Sequence, residues 1–212
     1  MRYFTGCELR GRIDVYVSMK YDHIREKKMD PREAIRKRRS IGLHREDTPP
    51  REEIEKLIDA ARWAPNHRLT EPWRFTVFTG NERKSLGKAQ ATALASTGID
   101  DEIRLQREVG KPLRAPVVII VHALAGKDDI ETLENRYATA AAVQNLLIEA
   151  HVLGLGAIWR TGPMIYSREV AELAGAGDDD AVIAAVYVGY PDAPETNRTR
   201  KDVGEITSWR NG

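Results

Sequence analysis

The 212-residue sequence predicts a single α+β domain. Helical patterns alternate with short strands rich in aromatic and β-branched residues, and one long apolar helix lies in the second half. No internal repeat, low-complexity tract or linker divides the chain. A chain of this length can bury a hydrophobic core without help from disulfides.

Two helices are predicted before the first strand. In "DPREAIRKRR", Asp30 can cap a helix whose first residue is Pro31. The segment "TPPREEIEKLIDAARW" repeats apolar residues at helical spacing, which predicts an amphipathic helix with one buried face. The residues of that face are Ile54, Leu57, Ile58 and Ala61.

The middle of the chain predicts two strands joined by helices. "WRFTVFTG" is typical of a strand that Gly80 ends, and Asn81 can cap the next helix, "ERKSLGKAQATALAST". Residues 98–114 are strongly charged and lack a wide apolar face, so we expect an exposed helix and loop that could cover a site. "APVVIIVHA" then predicts a buried strand.

The longest predicted helix runs roughly from Leu133 to Leu153 and is apolar nearly all round. Such a helix must be enclosed, either by its own domain or by a second subunit. Gly154 suits the left-handed position that ends a helix. A strand through "AIWRT", a helix "SREVAELAG" capped by Ser167 and closed by Gly175, and a strand "AVIAAVYVG" follow. The polar tail after them cannot build a core of its own.

Composition narrows the class of protein. Lys and Arg number 33 against 32 Asp and Glu, and the net charge of +1 lacks the broad positive field expected of a nucleic-acid-binding protein. The single cysteine, Cys7, excludes an intrachain disulfide framework, and the five histidines lack metal-ligand spacing. We therefore expect a reducing cytoplasm, no metal and no nucleic-acid partner.

Neither a membrane segment nor a signal peptide is predicted. The longest uncharged apolar run, "APVVIIVHALAG", has twelve residues, whereas a membrane-spanning helix needs about 20. Residues 1–28 carry scattered charges and no apolar signal region, so we expect a poorly packed extension there. Residues 29–212 then form the functional domain.

Common nucleotide-binding and catalytic motifs are missing from the sequence. Gly154 and Gly156 in "GLGAIW" follow a helix and precede a strand, which reverses the order of the dinucleotide fingerprint. No P-loop and no G-x-S-x-G elbow is present. The acidic run at residues 178–180 lies in a predicted turn, where a solvated loop is favoured over a metal site.

The run "IRKRRSIGLHR", residues 35–45, places five cations in eleven positions of a nearly neutral chain. It can bind nucleic acid, or its cations can complement the dipole of the preceding helix. It can also hold one phosphate, because neighbouring arginines give paired, charge-assisted hydrogen bonds. In that case the side chains alone bind the phosphate, because the arginines follow a helix C-terminus, where the helix dipole disfavours an anion.

A second segment, "APNHRLTEPWRF", residues 64–75, stops a helix at Pro65 and leads into a strand at Trp73. The polar loop between them lies at an edge of the core, where ligand sites are common. An ordinary helix-to-strand connection has the same pattern, and the residues alone favour neither reading.

Together, "RKRRSI" and "APNHRLTEPWRF" resemble the opening of the FMN-dependent nitroreductase family, in which a basic Arg-Arg-Ser precedes an A-P-x-H loop ending in Pro-Trp. The likeness continues through "AAAVQNLLIEAHVLGLGAIWRTG" and "VYVGYPDAP" and covers about Pro31 to Trp209. The nearest branch is the small, single-domain bacterial NAD(P)H nitroreductases with an "IWRxG" segment. The resemblance implies a three-layer α/β/α sandwich with a central, mainly antiparallel sheet, a long interface helix and a C-terminal arm reaching the partner subunit.

The resemblance also implies FMN as the cofactor and assigns its contacts. Arg38, Arg39 and Ser40 would hold the phosphate and ribityl chain, and Asn66 and Thr70 would line the flavin from the partner subunit.

Further contacts are implied near the end of the chain. Trp159, Arg160 and Thr161 would frame the ring edge and phosphate. Arg200 would meet the phosphate from the tail, with Arg198 as the second match. Glu71 stands where many members have glutamine, which puts an amide contact to the ring in doubt.

The implied function is an FMN-dependent NAD(P)H oxidoreductase that reduces nitroaromatic, quinone or similar electron-poor acceptors in a ping-pong cycle. A backbone N–H near Thr161 or Gly162 would face flavin N5, and each flavin would lie at the interface of a homodimer. Two alternatives stay open: an FMN-binding carrier or sensor without significant turnover, and a nucleic-acid binder that uses residues 36–45.

Overall fold

The computed structural model describes residues 29–193 and 198–210 of the chain. The chain forms two compact units, residues 1–36 and 37–212. The predicted extension, residues 1–28, lies outside the described residues. The described part of the first unit holds most of helix α1, Pro31–Lys37, and the Asp30 carboxylate accepts a hydrogen bond from the Arg32 N–H at 3.2 Å as a cap does.

The second unit alternates helices with four strands. Its elements are α2 (Arg51–Ala61), β1 (Trp73–Thr79), α3 (Glu82–Ser96), α4 (Glu102–Gly110), β2 (Val117–Ala123), α5 (Asp129–Val152), β3 (Gly156–Arg160), α6 (Arg168–Leu173) and β4 (Ala181–Gly189). Three short 3-10 turns lie at His67–Leu69, Lys111–Arg114 and Val203–Glu205.

The four strands form one antiparallel sheet in the order β1-β2-β4-β3. Successive side chains of β2 point to opposite faces. Ile119 joins the core beneath α2 and α5, whereas Ile120 joins the core beneath α3 and α6. Helices therefore cover both faces of the sheet, and the predicted three-layer arrangement is confirmed.

The amphipathic pattern of α2 is confirmed, because Ile54, Leu57 and Ala61 are buried on one face. The left-handed end of α5 is confirmed as well, since Gly154 has φ +74°. Ser167 caps α6 by accepting a hydrogen bond from the Val170 N–H, as its position in the sequence predicts.

Two helix starts differ from the prediction. Asn81 does not cap α3: its backbone is already helical and its side chain makes no capping hydrogen bond, whereas a cap residue needs extended backbone. Helix α5 begins four residues before Leu133, because the Asp128 carboxylate accepts a hydrogen bond from the Glu131 N–H at 2.8 Å. A polar cap therefore sets this start, and the apolar pattern does not.

Residues 98–114 form a mostly exposed helix and 3-10 turn, as predicted, and Glu108 and Pro112 are their buried residues. Glu108 of α4 is buried, and a Cβ atom on Gly87 of α3 would overlap the backbone carbonyl of Val109. The two helices thus approach at backbone distance through a glycine. Helix α4 is held at its start by Asp101, whose carboxylate accepts hydrogen bonds from two backbone N–H groups.

Helix α5 is enclosed on one side only by the described residues. Its inward face includes Ala142, Val143 and Leu146, which are fully buried. Its outward face includes Ile130 and Tyr137, which are 71% and 66% exposed. The fold therefore leaves an apolar strip of this helix facing outward.

Candidate functional site

A cavity of about 310 Å³ collects arginines from both ends of the second unit. It is lined by Arg38, Arg39, Ser40, Arg198 and Arg200, and we call it the arginine cavity. Four of the expected FMN contacts meet here. The sequence favoured Arg200 over Arg198 as the contact from the tail. In the structure both residues line the cavity.

The edge strand β3 positions the first half of the arginine cavity. Ser40 lies beside Ala157 in a parallel bridge, and the Ile41 N–H donates a hydrogen bond to the Ala157 carbonyl at 3.0 Å. A Cβ on Gly156 would lie 2.8 Å from Ile41 Cγ2, so the absence of a side chain there permits this close approach. Residues 38–41 are thus fixed along the side of the sheet.

Positive charge accumulates in the arginine cavity. Burial lowers the pKa of Arg38, and the charges of Arg200 and Arg39 lower it further. In residues 29–193 and 198–210, no carboxylate forms an ion pair with Arg38, Arg198 or Arg200. Guanidinium groups remain protonated even when their pKa falls. Such a cluster is suited to an anion with several oxygens, since each guanidinium can donate two parallel hydrogen bonds.

A second cavity, of about 170 Å³, lies where β3 ends, and we call it the β3-end cavity. It is lined by Gln90, Glu108, Lys111, Arg114, residues 160–165 and Tyr187. Lys111 forms an ion pair with Glu108, and the Arg160 guanidinium lies 5.7 Å from the centre of the Tyr187 ring. Burial raises the pKa of Tyr187 to about 12, so the phenol is neutral at physiological pH.

Two polar atoms of the β3-end cavity have no hydrogen-bond partner among the described residues. They are Oε1 of Gln90 and Oε2 of Glu108, in side chains whose residues are only 1% and 9% exposed. A buried acceptor without a partner is destabilising by about 1–3 kcal/mol, and more when it is charged. Both atoms are almost inaccessible to solvent, so a group in the cavity reaches them only if the side chains move.

Arg160 links the two cavities. A Cβ on Gly42 would lie 3.2 Å from Arg160 Nη2, so the guanidinium packs against the chain two residues after Ser40. The side chains of Arg160 and Thr161 line the β3-end cavity, whereas Ser40 lines the arginine cavity. The two cavities are neighbours along β3.

The expected site residue Trp159 is separated from Arg160, because successive side chains of β3 point to opposite faces. Its ring packs on the α2 and α5 side of the sheet, and its indole N–H donates to the Ile183 carbonyl at 3.2 Å. Trp159 therefore does not share the lining of the β3-end cavity with its neighbour.

The loop before β1 carries the expected residues Asn66 and Thr70. The Asn66 Oδ1 accepts a hydrogen bond from the Glu71 N–H at 3.0 Å, and the Thr70 hydroxyl donates to Asn135 at 2.9 Å. Three residues of this loop have left-handed backbone: Arg68 at φ 56°, Leu69 at φ 53° and Glu71 at φ 43°. Left-handed backbone is unfavourable for residues with a Cβ and clusters at functional sites, so this loop is held in a shape it would not adopt alone.

One chain does not bring Asn66 and Thr70 to the arginine cavity. Trp73, which follows the loop, begins β1 at one edge of the sheet, and Ser40 lies beyond β3 at the other edge. The register places Trp73 six residues along the sheet from the level of Ala157. With about 3.3 Å per residue and about 4.8 Å between neighbouring strands, Trp73 and Ala157 are about 25 Å apart.

Sequence reasoning did not single out several residues of the site: Gln90, Glu108, Lys111, Arg114 and Asn135. The available signal was position, because "REVGKPLR" places charged residues immediately before a strand that is apolar throughout. Charged residues at the edge of a core are candidates for a site. Asn135 carries a comparable signal, as a polar residue that is 4% exposed on the inward side of α5.

Among the described residues, no group of three or more His, Cys, Asp or Glu side chains is placed to hold a metal ion. Asp180 of the acidic turn instead accepts hydrogen bonds from the Ala125 and Gly177 N–H groups, both at 2.8 Å. Within the same residues, no helix combines the length and apolar character needed to cross a bilayer.

Comparison with known proteins agrees with the resemblance seen in the motifs. Residues 35–190 match the model of the nitroreductase family. The chain is 31% identical over 170 residues to the provisionally named NAD(P)H nitroreductase YfhC of Bacillus subtilis (strain 168), covering 79% of this chain and 88% of that protein.

Solved structures agree with the same assignment. A nitroreductase-like family protein from Bacillus cereus is 26% identical with a TM-score of 0.78, covering 87% of this chain and 97% of that one. A provisionally named nitroreductase of Desulfovibrio desulfuricans, solved in complex with FMN, is 27% identical with a TM-score of 0.65, covering 86% and 98%. The subgroup with the "IWRxG" segment stays a prediction. The fold, the family match over most of the sequence and the relative above 30% identity together establish that this chain belongs to the nitroreductase family.

Proposed function

We propose that this protein is an FMN-dependent NAD(P)H oxidoreductase, and the arginine cavity is the observation that carries the proposal. The phosphate of a flavin mononucleotide has a charge of about −1.5 to −2 at neutral pH and three strong acceptor oxygens. Arg38, Arg39, Arg198 and Arg200 offer four guanidinium groups around one cavity. Ser40 adds a hydroxyl that can donate to the phosphate or the ribityl chain.

Family membership supports the same cofactor. The Desulfovibrio desulfuricans relative was solved with FMN, and the Bacillus subtilis relative is named as an NAD(P)H nitroreductase. Both align over most of this chain. The nucleic-acid alternative is weakened, because the cations of residues 36–45 include two that face the arginine cavity, and the net charge of the chain is only +1.

The β3-end cavity is suited to the ring of the flavin. When bound, FMN supplies the hydride chemistry, taking a hydride from NAD(P)H and reducing an electron-poor acceptor such as a nitroaromatic or a quinone. Thr161 and Gly162 line the β3-end cavity, where their backbone N–H groups can orient the ring. Lys111, Arg114 and Arg160 provide positive charge that stabilises electron density on the ring.

We further propose a homodimer in which each flavin contacts both chains. Trp73, which follows Asn66 and Thr70, and Ala157, which lies beside Ser40, are about 25 Å apart by the strand spacing and rise, so we expect Asn66 and Thr70 to reach a flavin from a second copy. The outward strip of α5, with Ile130 and Tyr137, offers apolar surface for that copy to cover. The exposed tail, in which Trp209 is 81% exposed, is free to act as the arm that reaches across.

The first experiment removes the phosphate contacts. Arg38→Ala combined with Arg39→Ala should give a folded protein that loses its yellow colour on purification, because the phosphate loses two guanidinium groups. Arg62→Ala is the matched control, since Arg62 is an exposed arginine paired with Asp59 at 2.6 Å outside the cavity. Stoichiometric FMN in the double variant would contradict the phosphate role.

The second experiment separates an enzyme from a carrier or sensor. The wild-type holoprotein should oxidise NADPH or NADH continuously when a quinone or nitroaromatic acceptor is present. One reduction of the bound flavin without further turnover would favour the carrier.

Size-exclusion chromatography with light scattering tests the dimer, and a monomer loaded with flavin would contradict it.

A further inference from the structure

A row of four cations follows one side of α4 and the 3-10 turn after it. The row, which we call the α4 stripe, consists of Arg104, Arg107, Lys111 and Arg114. From it we infer that this protein prefers NADPH to NADH, because Arg104 and Arg107 bind the 2′-phosphate that NADPH carries and NADH lacks. The inference rests on the proposed function, since it concerns the reductant of the same enzyme.

Helical spacing brings the four cations together. Arg104, Arg107 and Lys111 stand at positions i, i+3 and i+7, which share one side of a helix, and Lys111 keeps helical backbone at φ −59° and ψ −48°. Arg114 follows Lys111 by three residues in the 3-10 turn, where side chains three apart lie in line. The three arginines are exposed and Lys111 is half-buried, so the row is open to a ligand in solution.

Most of the positive charge of the α4 stripe has no counter-charge. Lys111 forms an ion pair with Glu108. Within residues 29–193 and 198–210, no carboxylate forms an ion pair with Arg104, Arg107 or Arg114. Like charges three or four residues apart destabilise a helix. The row is therefore unfavourable for the helix itself and suited to an anion.

The helix dipole and the nearby acids do not explain the α4 stripe. Cations near a helix C-terminus are favourable, but Arg104 lies in the first turn, where the dipole disfavours a cation. Two carboxylates at the start of α4 are engaged in other contacts. Asp101 accepts hydrogen bonds from two backbone N–H groups, and Glu102 accepts one from the Gln106 amide at 2.7 Å.

The α4 stripe begins at the β3-end cavity, which is proposed to receive the flavin ring. Lys111 and Arg114 line that cavity. Arg107 and Arg104 precede Lys111 by four and seven residues, which corresponds to about 6 and about 10 Å along a helix axis. The nicotinamide must stack on the flavin ring for hydride transfer, so the adenosine end of the dinucleotide extends away from the cavity. The outer arginines of the stripe offer a path for that end.

The 2′-phosphate is the group that distinguishes the two reductants. A phosphate monoester adds a charge of about −1.5 to −2 and three strong acceptor oxygens, whereas NADH has a hydroxyl at the same position. In dinucleotide-binding proteins an arginine accommodates this phosphate, and an aspartate or glutamate binds the hydroxyl. The carboxylate beside the stripe, Glu108, is only 9% exposed and already paired with Lys111. The exposed groups are thus those that favour the phosphorylated nucleotide.

Binding of the oxidised nucleotides to the oxidised holoprotein tests the inference without turnover. NADP+ and NAD+ differ only in the 2′-phosphate. Isothermal titration calorimetry at low ionic strength should give a dissociation constant about tenfold lower for NADP+, because hydrogen bonds between guanidinium and phosphate are charge-assisted. The preference should shrink at high salt, since exposed charges are screened.

Variants then assign the preference to the outer arginines. Arg104→Ala combined with Arg107→Ala should reduce the preference for NADP+ to within about twofold. Arg107→Glu should shift it toward NAD+, because a carboxylate repels the phosphate and accepts a hydrogen bond from the hydroxyl. Arg51→Ala is the matched control, since Arg51 is an exposed arginine of α2 paired with Glu55 at 2.7 Å, and it should keep the wild-type preference. FMN content should be equal in all variants, because these residues lie outside the arginine cavity.

Steady-state kinetics with one quinone acceptor complete the test, and the ratio of the KM values for NADPH and NADH should follow the dissociation constants. Equal binding of NADP+ and NAD+ by the wild type, or an undiminished preference in the double variant, would overturn the inference and leave the oxidoreductase intact. A changed KM for the quinone with an unchanged nucleotide preference would overturn it as well, by showing that the stripe binds the acceptor. Failure of both NADPH and NADH to reduce the bound flavin would instead overturn the proposed function.

Discussion

Replacing Asn135 tests how the strained loop before β1 is held in place. The Asn135 side chain donates to the Leu124 carbonyl at 3.1 Å and accepts from the Thr70 hydroxyl at 2.9 Å. Asn135→Ala removes both hydrogen bonds in a residue that is 4% exposed. At about 1–1.5 kcal/mol for each bond, with a small cavity in addition, the loss of stability should be about 3 kcal/mol.

The expected loss converts to a measurable change in melting temperature. For a chain of this size, 1 kcal/mol corresponds to about 2–4 °C, so Asn135→Ala should lower Tm by about 6–12 °C. Circular dichroism at fixed protein and FMN concentrations is a suitable assay. Thr70→Val is the matched variant, because it removes only one of the two bonds and should cost about 1 kcal/mol.

A double-mutant cycle completes this test. Because Asn135 and Thr70 share one hydrogen bond, the combined variant should be more stable than the sum of the single losses by about 0.5–1 kcal/mol. Ordinary surface substitutions change Tm by about 1–2 °C. A change this small for Asn135→Ala would refute the proposed role of its two hydrogen bonds. Strict additivity in the cycle would show that the Thr70 contact contributes nothing.

Three further predictions follow from burial, backbone geometry and charge. Gly87→Ala should cost more than about 2 kcal/mol because its Cβ would overlap the Val109 carbonyl, whereas Gly154→Ala, opposed only by φ +74°, should cost about 1 kcal/mol. Equal losses in denaturant titrations would contradict the close helix approach. Burial lowers the pKa of His122, so its neutral form contributes stability that is complete above pH 6.5 and is lost as pH falls through the folded value. His122→Gln should therefore flatten the dependence of Tm on pH below 6.5, and an unchanged slope would argue against this origin. Arg198→Ala should weaken FMN binding about tenfold and reduce its salt dependence, and a variant Kd equal to that of the wild type at both low and high salt would remove Arg198 from the phosphate site.

Much of the fold is readable from local patterns in the sequence. The stripe of Ile54, Leu57 and Ala61 defines both the extent of α2 and its buried face, because helical spacing directly determines which side chains share a surface. The start of α5 is less accessible, since the capping carboxylate of Asp128 adds residues 129–132, whose one apolar residue, Ile130, is exposed. Asn81 is of a residue type that often caps helices, yet its backbone is already helical. Residue type alone therefore predicts this cap wrongly.

Local sequence patterns predict only two of the four arginines that line the arginine cavity. Arg38 and Arg39 stand out as a dense basic run, and their position after a helix already disfavours a dipole-bound anion. That Arg198 and Arg200 join them depends on the path of the tail, which spacing does not reveal and which the family resemblance supplies. The resemblance likewise supplies Asn66 and Thr70, whose separation from the cavity follows from the strand order and register of the sheet.

The β3-end cavity lies beyond what periodicity can predict. Glu108 reads as one more charge on an exposed helix, and its burial follows from the approach of α4 to α3 at Gly87. A glycine inside a helix is weak evidence for such a contact until the partner helix is known. Gln90 is similarly inconspicuous, because a polar residue in a helix is usually solvated.

The left-handed backbone at Arg68, Leu69 and Glu71 has a consequence for engineering. Glycine or asparagine adopts this geometry at lower energy, so the natural sequence leaves thermal resistance unused at this bend. Because strained backbone clusters at functional sites, a hardier variant that relaxes this bend should be checked for FMN affinity as well as for Tm.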